Sequence, residues 1–248
     1  MKITDIFKRK SYSFARAILP RKIFEILSMK DHNIFSQFGE DVIIFSIFQK
    51  LKININDVTY IDLGANDPIV GSNTYLFYLK NARGVLVEAN PGLINTLKKK
   101  RPRDTVLNMA VSIDSDKEEN LYIMNSPSLS TLSYEEAQSL IEKRKNLEII
   151  DVVKIKTISV NDIVQNFFCD KPPTILSIDL EGLDEVIIRS IDFSKYRPFL
   201  IISEVVEYNT SLPYGKKNKN IIEYMKSNNY DEYAFTGVNS IFIDSLSN

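Results

Sequence analysis

The 248-residue chain reads as one α/β domain built on a mostly parallel, doubly wound sheet. Three observations lead there. Short apolar runs alternate with helical patterns from residue 59 to residue 227, as expected of strands joined by crossover helices. The first run, Thr59–Leu63, stops at a small-residue turn, Gly64-Ala65-Asn66, before a helical pattern opens at Tyr75. A glycine at a strand's C-terminal end lets the backbone bend and lets a ligand approach where a Cβ would block it. The next run, Gly84–Val87, closes in a carboxylate, Glu88. Ligands of such sheets bind beyond the carboxyl ends of the strands, and an acid closing the second strand can accept both hydroxyls of a ribose. The unit reads as a nucleoside-binding half-site.

Composition narrows the class. Hydrophobic content of 44% and charged content of 25% are ordinary for a globular protein. A net charge of −1 gives no electrostatic reason to expect nucleic acid. The lone cysteine, Cys169, excludes an internal disulfide and a thiolate zinc site, which fits a reducing compartment. No apolar run approaches the roughly 18 residues of a spanning helix and no signal-peptide core is present, so the expected location is the cytoplasm.

Taken in order, residues 1–33 form a basic extension ahead of a domain over 34–248. Eight Lys and Arg residues in the first 30 face only Asp5 and Glu25, on a partial helical stripe of Ile3, Ile6, Phe7 and Phe14. Either this segment packs on its own domain, the simpler reading, or it makes a peripheral contact with an anionic membrane or a partner. A helix begins at Ser36–Asp41, with Ser36 as its cap and Ile44, Ile47 and Phe48 on its buried face. After Glu88, Asn90-Pro91 opens a helix through Lys100. The run Lys98–Arg103 reads as a solvated helix end. Thr105–Val111 is a third strand, Leu121–Met124 an accessory strand and Val152–Ile158 a half-buried one. The hydroxyl-rich stretch Ser126–Ser133 is either an acceptor-binding lid or a plain loop whose Ser133 caps a helix over 134–145. Ser159 starts another helix. Thr174–Asp179 and Phe199–Glu204 are further core strands separated by a helix from Asp184 to Ile191. A polar loop over 208–220, a helix over 221–227 and two closing strands around Tyr233–Phe235 and Ile241–Ile243 complete the chain.

Four segments resemble the FkbM family of class I S-adenosylmethionine (SAM) methyltransferases: Ser36-Gln-Phe-Gly-Glu-Asp41, Ile61-Asp-Leu-Gly-Ala-Asn66, Leu86-Val-Glu-Ala-Asn-Pro91 and Ser177-Ile-Asp-Leu-Glu-Gly182. They fall in the family's order across roughly residues 35–205, whereas a lone Asp-x-Gly would say little. The resemblance implies a three-layer, Rossmann-like, mostly parallel seven-stranded sheet with an antiparallel edge strand. SAM is then the cofactor. The resemblance carries over Gln37, Asp62, Gly64, Ala65, Asn66, Asn73 and Thr74 as positions bordering it, followed by Glu88, Ala89, Asn90, Ala110 and Asp179. Gln37 would bond the methionine part, and the segment around Asn108 and Ala110 would border the adenine. The implied reaction is O-methylation of a sugar or glycan hydroxyl, such as a surface-polysaccharide precursor.

Chemistry converges on one sheet edge. Asp179 and Glu204 end the fourth and fifth core strands and Glu181 follows in the loop, so three acids stand as catalytic candidates. Some related O-methyltransferases hold a divalent cation between acids at these strand ends, which makes Asp179 and Glu204 candidate ligands for Mg²⁺ or Mn²⁺. Here the second acid is Glu and no Asn follows it. His32 is a general base if its loop folds over the site, and otherwise a solvated turn residue. Two competing functions are weighed. A nicotinamide-dependent oxidoreductase would use Glu88 equally, but Gly64-Ala-Asn66 lacks the second and third glycines that seat a pyrophosphate. A nucleotide-binding module without catalysis would have no use for the retained acids.

Overall fold

The structure, a computed structural model, describes residues 34–180, 182–207 and 216–247. The basic segment, His32, Glu181 and most of the polar loop after Glu207 lie outside the described residues. The strands are β1 (Thr59–Leu63), β2 (Arg83–Glu88), β3 (Thr105–Asn108), β4 (Ala110–Val111), β5 (Glu118–Met124) and β6 (Ile149–Ile158). They continue as β7 (Ile175–Ile178), β8 (Leu200–Glu204), β9 (Val206–Glu207), β10 (Lys216–Lys217), β11 (Tyr230–Phe235) and β12 (Asn239–Asp244). The helices are α1 (Glu40–Leu51), α2 (Tyr75–Leu79), α3 (Pro91–Lys100), α4 (Tyr134–Lys143), α5 (Val160–Phe168), α6 (Asp184–Ser190) and α7 (Lys219–Ser227).

Seven strands form the main sheet in the order β11-β12-β8-β7-β1-β2-β3. From β3 to β8 every pairing is parallel. The closing pair supplies the antiparallel element, as expected. The strand that runs backwards is β12, which enters between β8 and β11, so the outermost strand runs with the parallel set. The chain winds outward from β1 through β2 to β3, then returns to β7 on the other side of β1. That reversal leaves a crevice at the carboxyl ends of β1 and β7.

Two apolar clusters show why the sheet is covered on both faces. Side chains alternate along a strand with period two. Ile61 and Leu63 of β1, with Val85, Val87, Leu176, Ile178 and Ile201, pack against α5, α6 and α7 through Ile163, Ile187 and Met225. Tyr60 of β1, with Leu86, Ile175, Leu200 and Ile202, packs against α1, α2 and α3 through Phe48, Phe77 and Leu97. Fully buried strands therefore read as continuous apolar runs, and β7 and β8 are buried at every residue.

The helix starts follow local chemistry. The side chains of Asn90, Ser133 and Ser159 accept hydrogen bonds from the backbone N–H groups of Gly92, Glu136 and Asp162, capping α3, α4 and α5, each worth about 1 kcal/mol. The first helix differs: it begins at Glu40 behind Gly39, whose φ is +90°. Ser36 stands outside that helix, its hydroxyl accepting from Gly39 and Asp41 N–H groups and donating to the Asp41 carboxylate at 2.6 Å. The expected third strand is also divided. The Asn108 side-chain amide donates to the carbonyls of Glu88 and Ala89. Beyond it the chain leaves the main sheet, and β4 pairs with β6 in a separate sheet of order β4-β6-β5.

Candidate active site

A cavity of about 350 Å³ opens at the carboxyl ends of β1, β2 and β7. Its floor is the turn after β1. Gly64 adopts φ +76°, and a Cβ there would stand 2.0 Å from the Asp179 carbonyl oxygen, so only glycine fits. The N–H groups of Gly64 and Ala65 both donate to the Val87 carbonyl, and the Asp179 N–H donates to the Leu63 carbonyl. The three strand ends are thereby pinned together.

Glu88 is the best-defined acid of the site. One carboxylate oxygen accepts from the Asn66 N–H at 2.8 Å and the other from the Asn90 N–H at 2.7 Å. The Ala89 backbone adds a further hydrogen bond, and a carboxylate offers about four lone-pair sites in all, so its acceptor capacity is not exhausted. The side chain is 8% exposed and lines the cavity. Burial raises its pKa above the ordinary value, against the pull of the backbone hydrogen bonds from Asn90, Asn66 and Ala89.

Asp62 also lines the cavity. It accepts a hydrogen bond from the Thr74 hydroxyl at 2.6 Å and another from Ser177. Burial again pushes its pKa up, opposed by the Arg101 charge and these two hydroxyls. Gln37 reaches the cavity from the loop before α1. That loop is held by Asp41, which accepts from the Phe35 and Val42 N–H groups, and by a parallel bridge between Ser36 and Gly71. Glu40 anchors it further, accepting from Phe38 N–H, the Thr236 hydroxyl and the Asn239 amide.

Of the residues expected at the site, Gln37, Asp62, Gly64, Ala65, Asn66 and Asn73 line the cavity, as do Glu88, Ala89, Asn90, Ala110 and Asp179. Thr74 does not. It is fully buried behind Asp62. Asn108 is turned to the backbone beside Glu88. Glu204 closes β8 opposite Asn239 of β12 and is not among the lining residues; Ile178 pairs with Ser203, so Asp179 and Glu204 are the next residues of two adjacent parallel strands. Among the described residues no group of three or more His, Cys, Asp and Glu is placed to hold a metal ion. The stretch around Ser128, Ser130 and Thr131 does come to the wall, while Ser133 caps α4. The cap at Ser133 is the one the sequence suggests.

One cluster escaped the sequence reading. Arg101, taken there as part of a solvated run, is 1% exposed and pairs with the buried Asp104 at 2.7 Å. Arg103 of the same run packs its guanidinium on the Tyr78 ring and donates to the Tyr78 carbonyl. The spacing held a signal: Ile94 and Leu97 mark the buried face of α3, and Arg101, its C-terminal cap residue, follows Leu97 by four. The lining carries four acids, Asp62, Asp67, Glu88 and Asp179, and no Lys, Arg or His among the described residues. Such a wall suits a cationic ligand.

A family model described as methyltransferase FkbM domain matches residues 62–232. Among solved structures, a TehB-like SAM-dependent methyltransferase from Corynebacterium glutamicum is 7% identical, with 97% of each chain covered and a TM-score of 0.41. An O-methyltransferase from Bacillus cereus, solved with S-adenosylhomocysteine (SAH), is 11% identical, with 94% of this chain and 97% of that one covered and a TM-score of 0.41. At these scores the likeness carries no argument of its own. No curated protein matches the chain.

Proposed function

The chain belongs to the FkbM methyltransferase family, and from that premise we propose that its cavity binds SAM and transfers the methyl group to a hydroxyl oxygen of a sugar or glycan. The observation that carries the cofactor assignment is Glu88: a buried carboxylate at the end of the second strand, lining the cavity and fixed on both oxygens by backbone donors, with acceptor capacity left for ribose hydroxyls. The cradle fits in other ways. Gly64 lets the ends of β1 and β7 close on one another at the cavity floor, where a Cβ would strike the Asp179 carbonyl. Ala89, Met109, Ala110 and Leu121 give an apolar wall for an adenine face. The acidic lining suits a ligand carrying sulfonium and ammonium charges.

SAM, when bound, supplies a methyl group made electrophilic by its sulfonium. The chain's own task is to align the acceptor oxygen and take its proton. Alignment is the larger contribution, since orientation supplies roughly 7–11 kcal/mol in favourable cases. Asp179, at the cavity wall one residue beyond β7, is the proton acceptor in this reading, a role worth about 10²–10⁴-fold in rate. Asp62 receives the methionine ammonium, and Gln37 bonds the same part of the cofactor. Ser128, Ser130 and Thr131 offer hydroxyl partners to a polyhydroxylated acceptor, which together with the family resemblance supports a sugar. No step is routed through a metal. Residues 34–248 form the methyltransferase domain and 1–33 an extension to it. Calorimetry with SAH and NAD tests the cofactor, and a methyl-transfer screen over glycosides, read by mass gain of one methylene, tests the acceptor. Tight NAD binding without SAH binding overturns the proposal.

A further inference from the structure

We propose that Arg101 is a positioning residue for cofactor binding, acting through Thr74 to hold Asp62 as the anion that receives the ammonium group of SAM. The inference rests on the SAM reading above and assigns a task to a buried cluster that reading leaves unused.

The polarity of the hydrogen-bond chain is fixed by its two ends. A guanidinium only donates, so Arg101 Nη2 gives its proton to the Thr74 oxygen at 3.0 Å. The Thr74 hydroxyl then gives its single proton to Asp62 Oδ2 at 2.6 Å. Asp62 ends the chain as an acceptor, the role of an ionised carboxylate. Its surroundings need this help: the Arg101 charge favours the anion, while Asp104, Glu88 and burial of a residue only 6% exposed oppose it. With the relay gone, burial and the neighbouring acids favour the neutral carboxyl, which has lost its attraction for an ammonium.

Arg101 itself cannot wander. Nε is held by Asp104, and the guanidinium lies 5.0 Å from the Tyr78 ring centroid and 5.3 Å from that of Tyr60. Asp104 is fixed in turn by the Tyr60 hydroxyl and the Gly84 N–H. A purely structural ion pair would be complete with Asp104 and the rings of Tyr60, Tyr75 and Tyr78. The fork's remaining nitrogens instead reach Thr74 and, at 3.4 Å, Ser72, on the side of the cavity. A lysine ammonium has no such planar fork.

The test compares two ligands by calorimetry: SAH, and methylthioadenosine, which shares the nucleoside but has no amino-acid group. Thr74→Val removes the hydroxyl at nearly constant shape. It is expected to weaken SAH about 10-fold or more near neutral pH while changing methylthioadenosine less than about 2-fold. The deficit should deepen as pH falls and shrink as pH rises, because Asp62 regains its charge. Thr74→Ser restores the hydroxyl and should restore the affinity. Arg101→Lys, which keeps a charge for Asp104 but not the bridge, should repeat the selective loss and decides the matter if the valine variant does not fold. Equal losses for both ligands, or no loss for either, overturn the relay while wild-type SAH binding keeps the SAM reading. A wild type that binds neither ligand sinks both.

Discussion

Replacing Glu88 by alanine perturbs the site at its most constrained acid, and two separable effects follow. The variant removes the acceptor of the Asn66 and Asn90 N–H groups, at 2.8 and 2.7 Å. Both lie against the cavity, where water can reach them, so the fold should lose about 1–3 kcal/mol rather than the full cost of two orphaned donors. For a domain of this size that is a fall of about 2–12 °C in Tm. Loss of a charged acceptor for the ribose should cost a further 1.5–3 kcal/mol in binding, or about 10–150-fold in Kd. Because SAH and methylthioadenosine share the ribose, calorimetry should show both weakened alike, unlike the selective loss expected of Thr74→Val. The pH dependence has a definite sign. Burial raises the folded-state pKa of Glu88 above its ordinary 4.5. Its stabilising contribution is therefore full below that value and lost as pH rises through the folded-state pKa. The alanine variant should show a shallower decline over that window, with Asp62 supplying what remains. A folded variant with unchanged SAH affinity would refute the ribose assignment.

The other expectations concern backbone, catalysis and the first loop. Gly64→Ala combines φ +76° with a 2.0 Å clash on the Asp179 carbonyl, whereas Gly71→Ala has φ +80° and open space; urea unfolding should show at least about 3 kcal/mol lost for the first and about 1–2 for the second. Equal losses would mean the close approach to Asp179 is not real. Asp179→Asn should lower the rate at saturating SAM by at least about 10²-fold, while Glu204→Gln, away from the cavity lining, should change it less than about 10-fold and chelation not at all. A chelator that abolishes turnover, restored by Mg²⁺ or Mn²⁺, would bring back the cation and the Asp179–Glu204 pair. Burial would raise the pKa of Glu40, but the hydrogen bonds from Thr236, Asn239 and backbone N–H groups outweigh it and hold it below the ordinary 4.5. Its stabilisation is thus present above that value and lost as pH falls through the folded-state pKa, so Glu40→Gln should flatten the acid limb of stability measured by urea midpoint.

What the sequence made legible was what pattern alone determines. Strands buried on both faces announce themselves as apolar runs with few polar breaks, and β1, β7 and β8 are readable for that reason despite Asp62, Ser177 and Ser203. Caps at Asn90, Ser133 and Ser159 were readable because the cap chemistry is local. The misreadings share a cause: each turned on a side chain whose partner is distant in sequence or lies off the strand axis. The third strand breaks because Asn108 reaches back about twenty positions to the end of β2. Glu204 sits at the expected sheet edge, one step beyond the Ser203–Ile178 pair, yet edge position alone does not fix which side chains line a cavity. Arg101 looked solvated in a row of cations because its reasons for burial, Asp104 aside, are Tyr60, Thr74 and Tyr78.

That last case bears on how the site is built. A buried arginine is costly unless every nitrogen finds a partner, and here each of Nε, Nη1 and Nη2 does. The cluster lies on the α1–α2–α3 side of the sheet, beneath the turn that cradles the ligand. Tyr60 and Asp62 point to that side because they are two apart on β1, so one strand supplies both the anchor of the ion pair and the acid at the cavity. A shift of β1 by one residue would send both to the opposite face. The same register that packs the core therefore sets the charge presented to the cofactor, and variants of Tyr60 should alter SAH affinity through Arg101 without any contact to the ligand.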